Sequence, residues 1–95
     1  MADGWQGWKV VPSHFNMVLY IKPWCPWCLA AVEWLEKRGM KFRSVDVFSD
    51  AVACAHMRAI SGQSLTPTLE MGDGAVLADF DVGQLEAFLR GRKAL

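Results

Sequence analysis

The chain has 95 residues, 53% of them hydrophobic, and its ten basic and ten acidic side chains cancel to a formal net charge of zero. This size suits one domain with one modest core. A neutral chain gives no reason to expect nucleic acid or an anionic membrane as partner, and no apolar run approaches a membrane span. No basic segment followed by an apolar stretch lies near Met1, so no secretory signal is predicted. Three cysteines without such a signal favour a cytoplasmic location.

Residues 1–15 are predicted to form a loosely structured N-terminal arm. They carry Trp5 and Trp8 among glycines and show neither a helical nor a strand period. We expect these tryptophans to pack on the surface of the domain formed by residues 16–95.

A strand that leads directly into a helix is predicted around the segment Lys22-Pro23-Trp24-Cys25-Pro26-Trp27-Cys28. Met17–Ile21 is a continuous apolar run, which suits a central strand covered on both faces. Cys25 is predicted to cap the helix and Pro26 to be its first residue, where a missing N–H has no effect. The free N–H groups of the first turn, the helix dipole and Lys22 would then stabilise a Cys25 thiolate.

The helix after Cys25 is predicted to run to about Arg38 and to end at Gly39. A Cys-x-x-Cys sequence between a strand and a helix is typical of a dithiol redox site. Cys25 is therefore predicted to be the exposed nucleophile and Cys28 the inward-facing resolving cysteine. The buried face, spaced i, i+3, i+4 and i+7, is predicted to be Cys28, Ala31, Val32 and Leu35.

Two other interpretations of the cysteine pair are open. Cys54 and His56 could supply the second ligand pair of a structural zinc site. A structural disulfide would constrain little of the unfolded chain, because the two cysteines are so close in sequence. Proline between the cysteines and lysine before them favour the redox interpretation, so no metal is expected and Cys54 is expected to be dispensable.

The next elements are predicted to be a strand and a helix. Residues 41–47 form a second strand, and the strand–helix–strand spacing indicates a right-handed unit with parallel strands. Asp50 or Ser49 is expected to cap a second helix that runs to about Ile60 and ends at Gly62. Its buried stripe is predicted to be Val52, Ala55, Ala59 and Ile60.

A hairpin and a last helix complete the predicted domain. Residues 68–71 and 75–77 surround the turn Gly72-Asp73-Gly74, so the second half of the sheet is expected to be antiparallel. Asp81 and Gln84 have the spacing of a capping box at the start of the last helix. The predicted order is β-α-β-α-β-β-α, which defines an α/β fold.

The sequence resembles the glutaredoxin family over about residues 16–89. The resemblance rests on Cys25-Pro26-Trp27-Cys28 after Val18-Leu19-Tyr20, on Val45-Asp46-Val47 and on Thr66-Pro67. It implies the thioredoxin fold, a four-stranded mixed sheet with helices on both faces. It also implies a cis Thr66–Pro67 bond that faces the dithiol and leaves the Thr66 backbone free to pair with a substrate peptide.

This chain departs from the family at two places in the implied glutathione groove. Many glutaredoxins carry an arginine shortly before the proline, where this chain has Gln63-Ser64-Leu65. Family members often start the last helix with Gly-Gly-Cys-Asp or Gly-Gly-Cys-Ser, where this chain has Leu77-Ala78-Asp79-Phe80-Asp81. Asp79 or Asp81 remains available to meet an ammonium group. The residues assigned to glutathione are Lys22, Trp27, Thr66, Pro67, Asp79, Phe80 and Asp81.

The resemblance implies a monomeric, glutathione-dependent thiol-disulfide oxidoreductase with no bound cofactor. Its expected partners are glutathione and proteins that are glutathionylated or contain disulfides. The missing arginine and glycines favour an alternative, a thioredoxin-like reductant recharged by a flavoprotein reductase. A second alternative is a carrier that holds a [2Fe–2S] cluster between two chains through Cys25 and glutathione, which Pro26 disfavours.

Overall fold

A computed structural model describes residues 17–93 of the protein. The predicted arm over residues 1–15 lies outside this range. The predicted order of elements is confirmed. The elements are β1 (Met17–Ile21), α1 (Pro26–Lys37), β2 (Arg43–Asp46), α2 (Ala51–Ser61), β3 (Thr68–Met71), β4 (Val76–Ala78) and α3 (Val82–Gly91).

The strands form one four-stranded mixed sheet in the order β2-β1-β3-β4. β1 is parallel to β2 and antiparallel to β3, and β3 and β4 form an antiparallel hairpin. β1 is therefore a central strand, as its continuous apolar run predicts. The parallel pairing brings the carboxyl ends of β1 and β2 to the same edge of the sheet, where Ile21 faces Asp46.

Helices cover both faces of the sheet because alternate residues of β1 point to opposite sides. Met17 and Leu19 lie in the larger core, together with Leu35 of α1 and Leu85 of α3. Tyr20 faces the other side and packs in a smaller core with Val47 and with Met57 of α2. The predicted thioredoxin fold is confirmed by this arrangement.

The local signals at the ends of α1 and α3 agree with the structure. Cys25 is the N-cap of α1, followed directly by Pro26. Gly39, just after the helix, has a φ of +66°, a conformation that glycine adopts without a steric penalty. At α3, Asp81 and Gln84 form the predicted reciprocal capping box.

The predicted buried stripe of α2 is wrong at three of its four positions. Val52 is 81% exposed, Ala55 and Ala59 are also exposed, and Ile60 is only partly buried. Met57 is the fully buried residue of this helix. Burying a long methionine side chain removes far more apolar area from water than burying alanine, so the helix is rotated to place Met57 in the core. The partly buried residues that flank Met57 in this core are Ala53, Cys54 and Ile60.

Candidate active site

The Cys25 sulfur lies at the N-terminus of α1, where a capping oxygen lies in other helices. The backbone N–H of Cys28 donates a hydrogen bond to Cys25 Sγ over 3.4 Å. In its neutral form the Cys25 thiol faces the carbonyl oxygen of Thr66 at 3.7 Å. Cys25 is partly exposed and Cys28 is fully buried, and both are free thiols. The structure therefore leaves the Cys25 sulfur accessible to a reagent that it can attack and shields Cys28.

The surroundings of Cys25 favour its thiolate. Burial alone would raise the pKa of the Cys25 thiol, but hydrogen bonds from the Cys28 side chain and backbone, the Thr66 side chain and the Trp27 backbone outweigh burial and hold this pKa below its ordinary value. The positive end of the α1 dipole acts in the same direction. The thiolate is the nucleophilic form of cysteine, so this arrangement activates Cys25.

Cys28 has the opposite electrostatic environment. Burial raises the pKa of the Cys28 thiol and is the largest effect on it. A hydrogen bond with Thr66 opposes burial, whereas the hydrogen bond with Cys25 adds to it, and the net result is a raised pKa. Neighbouring thiols whose pKa values move apart are suited to different roles. The Cys25 thiol forms a thiolate more readily, whereas the Cys28 thiol keeps its proton until a later step.

A cleft of about 210 Å³ lies beside the dithiol. It joins residues from three parts of the chain: the first turn of α1, the loop before β3 and the start of α3. Five of its six lining residues are among those that the sequence assigned to glutathione. The sixth, Gln84, was missed because its spacing indicated only a helix cap. The lining residues are Trp27, Thr66, Asp79, Phe80, Asp81 and Gln84.

The two carboxylates of the cleft have different environments. Asp81 Oδ1 accepts the backbone N–H of Gln84 at 2.8 Å, so part of this carboxylate is occupied by capping α3. Asp79 is exposed and has a φ of +54°, an unusual conformation for a residue other than glycine. Its N–H donates to the carbonyl of Pro67 at 2.9 Å, which ties the start of α3 to the loop beside Cys25. Phe80 is buried and forms the floor of this region.

Pro67 and Lys22 lie outside the cleft lining. The Thr66–Pro67 bond is cis, and Pro67 is fully buried. Lys22 Nζ donates to the carbonyl oxygen of Ser64 at 3.5 Å, so its ammonium lies on the loop before the cis proline. Hydrogen bonds, rather than the charge of Lys22, lower the pKa of Cys25.

The zinc interpretation lacks its second ligand pair within residues 17–93. No three His, Cys, Asp or Glu side chains come together there as a metal site needs. Cys54 lies on α2 and packs in the smaller core, on the sheet face opposite α1. Within the same range, no helix is both long and apolar enough to cross a membrane.

The fold and the Cys-x-x-Cys at a helix N-terminus define a thioredoxin-fold protein with a dithiol site. The family model of glutaredoxin matches residues 17–76, more than half of the sequence. The chain therefore belongs to the glutaredoxin family, as its motifs predict.

Two curated relatives agree with this assignment. An uncharacterized glutaredoxin-like 8.6 kDa protein in the rubredoxin operon of Clostridium pasteurianum is 30% identical over 71 residues, which cover 75% of this chain and 93% of the relative. A glutaredoxin of Pseudomonas aeruginosa is 26% identical over 70 residues, which cover 74% of this chain and 83% of the relative.

Solved structures show the same fold. The thioredoxin-like protein BC3987 has a TM-score of 0.68 and 30% identity, over 75% of this chain and 96% of its own. A buckwheat glutaredoxin, solved as a complex with glutathione, has a TM-score of 0.56 and 17% identity, over 65% of this chain and 58% of its own. At that identity the second likeness concerns the fold alone.

Proposed function

We propose that this protein is a glutathione-dependent thiol-disulfide oxidoreductase that acts through Cys25 and Cys28. It reduces protein disulfides and glutathione mixed disulfides in the cytoplasm, as a monomer without a bound cofactor. The observation that carries the proposal is the Cys25 sulfur, which is partly exposed, accepts the Cys28 N–H and has a lowered pKa.

The reaction follows from the different states of the two sulfurs. The Cys25 thiolate attacks a substrate disulfide, forms a mixed disulfide with one substrate sulfur and releases the other as a thiolate. Cys28 then gives up its proton and attacks Cys25 Sγ, which releases the second substrate thiolate and leaves a Cys25–Cys28 disulfide. The substrate gains two electrons and two protons, and the protein dithiol loses them.

Glutathione returns the protein to its dithiol form. One glutathione thiolate opens the Cys25–Cys28 disulfide and forms a mixed disulfide with Cys25. A second glutathione attacks that mixed disulfide, so that glutathione disulfide leaves and the dithiol is restored. Membership of the glutaredoxin family supports this choice of reductant.

The cleft offers groups that match the two ends of glutathione. We assign the carboxylates of Asp79 and Asp81 to the ammonium of the γ-glutamyl group, beside the aromatic walls Trp27 and Phe80. Lys22 is assigned to the glycine carboxylate. Its contact with the Ser64 carbonyl places a cation on the loop where many glutaredoxins carry an arginine. The carbonyl oxygen of Thr66 lies 3.7 Å from Cys25 Sγ. We therefore assign the Thr66 backbone to pair with the peptide backbone of the substrate next to the reacting sulfur.

A second candidate function is a thioredoxin-like reductant recharged by a flavoprotein reductase. The observation that favours it is Asp79, whose exposed carboxylate stands where the family often has glycine. A carboxylate there opposes the negative end of the γ-glutamyl group as well as attracting its ammonium.

One experiment separates the two candidates. Turnover of a small glutathione mixed disulfide is measured with glutathione, glutathione reductase and NADPH, beside an assay with thioredoxin reductase and NADPH. We expect turnover in the first assay and little in the second. Turnover in the second assay alone would mean that a flavoprotein reductase, and not glutathione, recharges the dithiol.

A further inference from the structure

Large exposed hydrophobic side chains gather around Cys25. Trp24 and Trp27 flank the cysteine in sequence, and Leu65 precedes Thr66, whose carbonyl faces the sulfur. A contiguous apolar surface contributes nothing to folding while it faces water, and such patches mark interaction sites. Among residues 17–93 the exposed large hydrophobics are Trp24 (59% exposed), Trp27 (59%), Leu29 (55%), Phe48 (69%), Leu65 (52%) and, apart from the rest on α2, Val52 (81%).

Trp24 and Phe48 form a built aromatic surface, which we call the aromatic shelf. Their ring centroids are 4.7 Å apart and the rings meet edge to face at 81°. The parallel pairing of β1 and β2 explains the contact, because both residues follow strand ends at the same edge of the sheet. Asp46 Oδ1 accepts the N–H groups of Phe48 at 2.8 Å and Ser49 at 3.4 Å, so the loop that carries Phe48 is held in place.

The position of the shelf indicates what covers it. Neither of its residues lines the cleft assigned to glutathione. A tripeptide held in that cleft therefore leaves the shelf exposed. A larger polypeptide whose disulfide Cys25 attacks extends beyond that cleft and meets the exposed Trp24, the residue next to the nucleophile. An uncharged surface of two aromatic rings favours an apolar or aromatic side chain over a charged one.

We propose that the aromatic shelf binds a disulfide-bearing segment of a protein substrate that has a large apolar residue beside the attacked cysteine. The proposal rests on the proposed function in one respect, the attack by Cys25. The apolar residue packs on Trp24 and Phe48 while Cys25 Sγ bonds to the neighbouring substrate sulfur. The other substrate sulfur leaves as a thiolate, and Cys28 completes the two-electron reduction as above.

The test compares two synthetic peptides, each closed by one internal disulfide. One peptide carries phenylalanine directly before both cysteines, and the other carries serine at the same positions. The full-length protein is first reduced with dithiothreitol, which is then removed. Reduction of each peptide is followed in a single turnover by acid quench and mass spectrometry, without glutathione or any reductase. We expect the wild type to react about fivefold faster with the phenylalanine peptide.

Three variants assign this preference to the shelf. Phe48→Ser should bring the ratio of the two rates close to one, whereas Phe48→Tyr should retain most of it. Val52→Ser is the matched control, because it removes an exposed hydrophobic side chain on α2, away from Trp24 and Phe48. It should leave both rates unchanged. Circular dichroism and thermal unfolding of each variant confirm that it is folded.

The outcomes distinguish this inference from the proposed function. Equal rates for the two peptides in the wild type, or an unchanged preference in Phe48→Ser, would overturn the inference even if glutathione turnover is intact. If the preference for the phenylalanine peptide depends on Phe48 but glutathione turnover is absent, the inference about the shelf is supported. Only the role of glutathione as reductant is then wrong. If sedimentation shows a wild-type dimer that Phe48→Ser dissociates, the shelf covers a second copy of the chain and the inference is wrong.

Discussion

The backbone N–H of Cys28 donates a hydrogen bond to Cys25 Sγ over 3.4 Å, so the buried cysteine helps to activate the exposed one. The contact is part of the first turn of α1, where Pro26 leaves the remaining N–H groups directed at the cap. The reactive sulfur is thus stabilised by the helix that also carries its partner. This relationship assigns separate steps to the two cysteines.

Replacement of each cysteine separates the two steps. Cys25→Ser should reduce turnover of a glutathione mixed disulfide to background, because a serine hydroxyl does not ionise near neutral pH. Cys28→Ser should retain this activity, since a second glutathione can resolve the mixed disulfide on Cys25, but it should lose reduction of protein disulfides by the dithiol route. Steady-state assays with both substrates measure the split. Full activity in Cys25→Ser would falsify the assignment of the nucleophile.

The pH dependence of alkylation tests the activation of Cys25. Its pKa is lowered in the folded protein, so a larger fraction is thiolate at neutral pH than for a free cysteine, whose pKa is about 8.5. The rate of iodoacetamide modification should therefore reach half of its plateau at a lower pH in the folded than in the unfolded protein. The raised pKa of Cys28 should delay its modification to higher pH. Mass spectrometry of the reduced protein between mildly acidic and alkaline pH measures both rates.

The unfolded protein supplies the control for this titration. In concentrated guanidinium chloride both cysteines should titrate as ordinary thiols, because the hydrogen bonds to Cys25 and the burial of Cys28 are lost. If Cys25 titrates identically in the folded and unfolded protein, its sulfur is not stabilised by the N-terminus of α1.

Cys54 should be dispensable for the reaction. It lies on α2, in the smaller core with Tyr20, Val47 and Met57, on the sheet face opposite α1. Cys54→Ala should leave turnover near the wild-type value and change the free energy of unfolding by about 1 kcal/mol or less, since the site is only partly buried. Parallel kinetics and urea unfolding measure the two effects. A loss of turnover as large as in Cys25→Ser would place Cys54 in the site.

Local signals in the sequence predicted the parts of the fold that depend on neighbouring residues. Cys25 as the α1 cap, Gly39 after the helix and the box of Asp81 and Gln84 each involve groups within a few positions of one another. The stripe of α2 was predicted wrongly because Val52, Ala55 and Ala59 also follow a helical spacing. Only contact with the sheet shows that the face with Met57 is buried.

In the candidate site too, features set by neighbouring residues were predicted and a contact between distant residues was not. The cysteine pair could be read from its spacing, and the family resemblance supplied five of the residues that line the cleft. The contact between Trp24 and Phe48 was missed because the two residues are far apart in sequence. The predicted parallel strands did hold a signal for it, since their carboxyl ends must meet at one edge of the sheet.

Lys22→Gln tests how the cation beside Ser64 is used. An exposed or half-exposed ion pair is worth only about 0.2–1 kcal/mol, so loss of the ammonium should raise the KM for the glutathione mixed disulfide up to about fivefold. The pKa of Cys25 should stay in place, because hydrogen bonds lower it. Steady-state kinetics and the alkylation titration measure both quantities. If KM is unchanged, the glycine carboxylate is held elsewhere; if the pKa rises toward that of a free thiol, Lys22 acts on the sulfur directly.

Asp79→Asn tests the other end of the cleft with little disturbance of the backbone. Asparagine tolerates the positive φ of this position, so the free energy of unfolding should change little. Loss of the negative charge should raise the KM for the glutathione mixed disulfide up to about fivefold with kcat nearly unchanged, because an exposed pair with the γ-glutamyl ammonium is lost. Glu36→Gln, which removes an exposed carboxylate at the far end of α1, is the control for net charge and should have no effect. Steady-state kinetics of the three proteins at low and high salt measure the effect, which should shrink as salt screens the pair. A lower KM in Asp79→Asn would mean that this carboxylate repels glutathione, and the thioredoxin-like reductant would then be the better assignment.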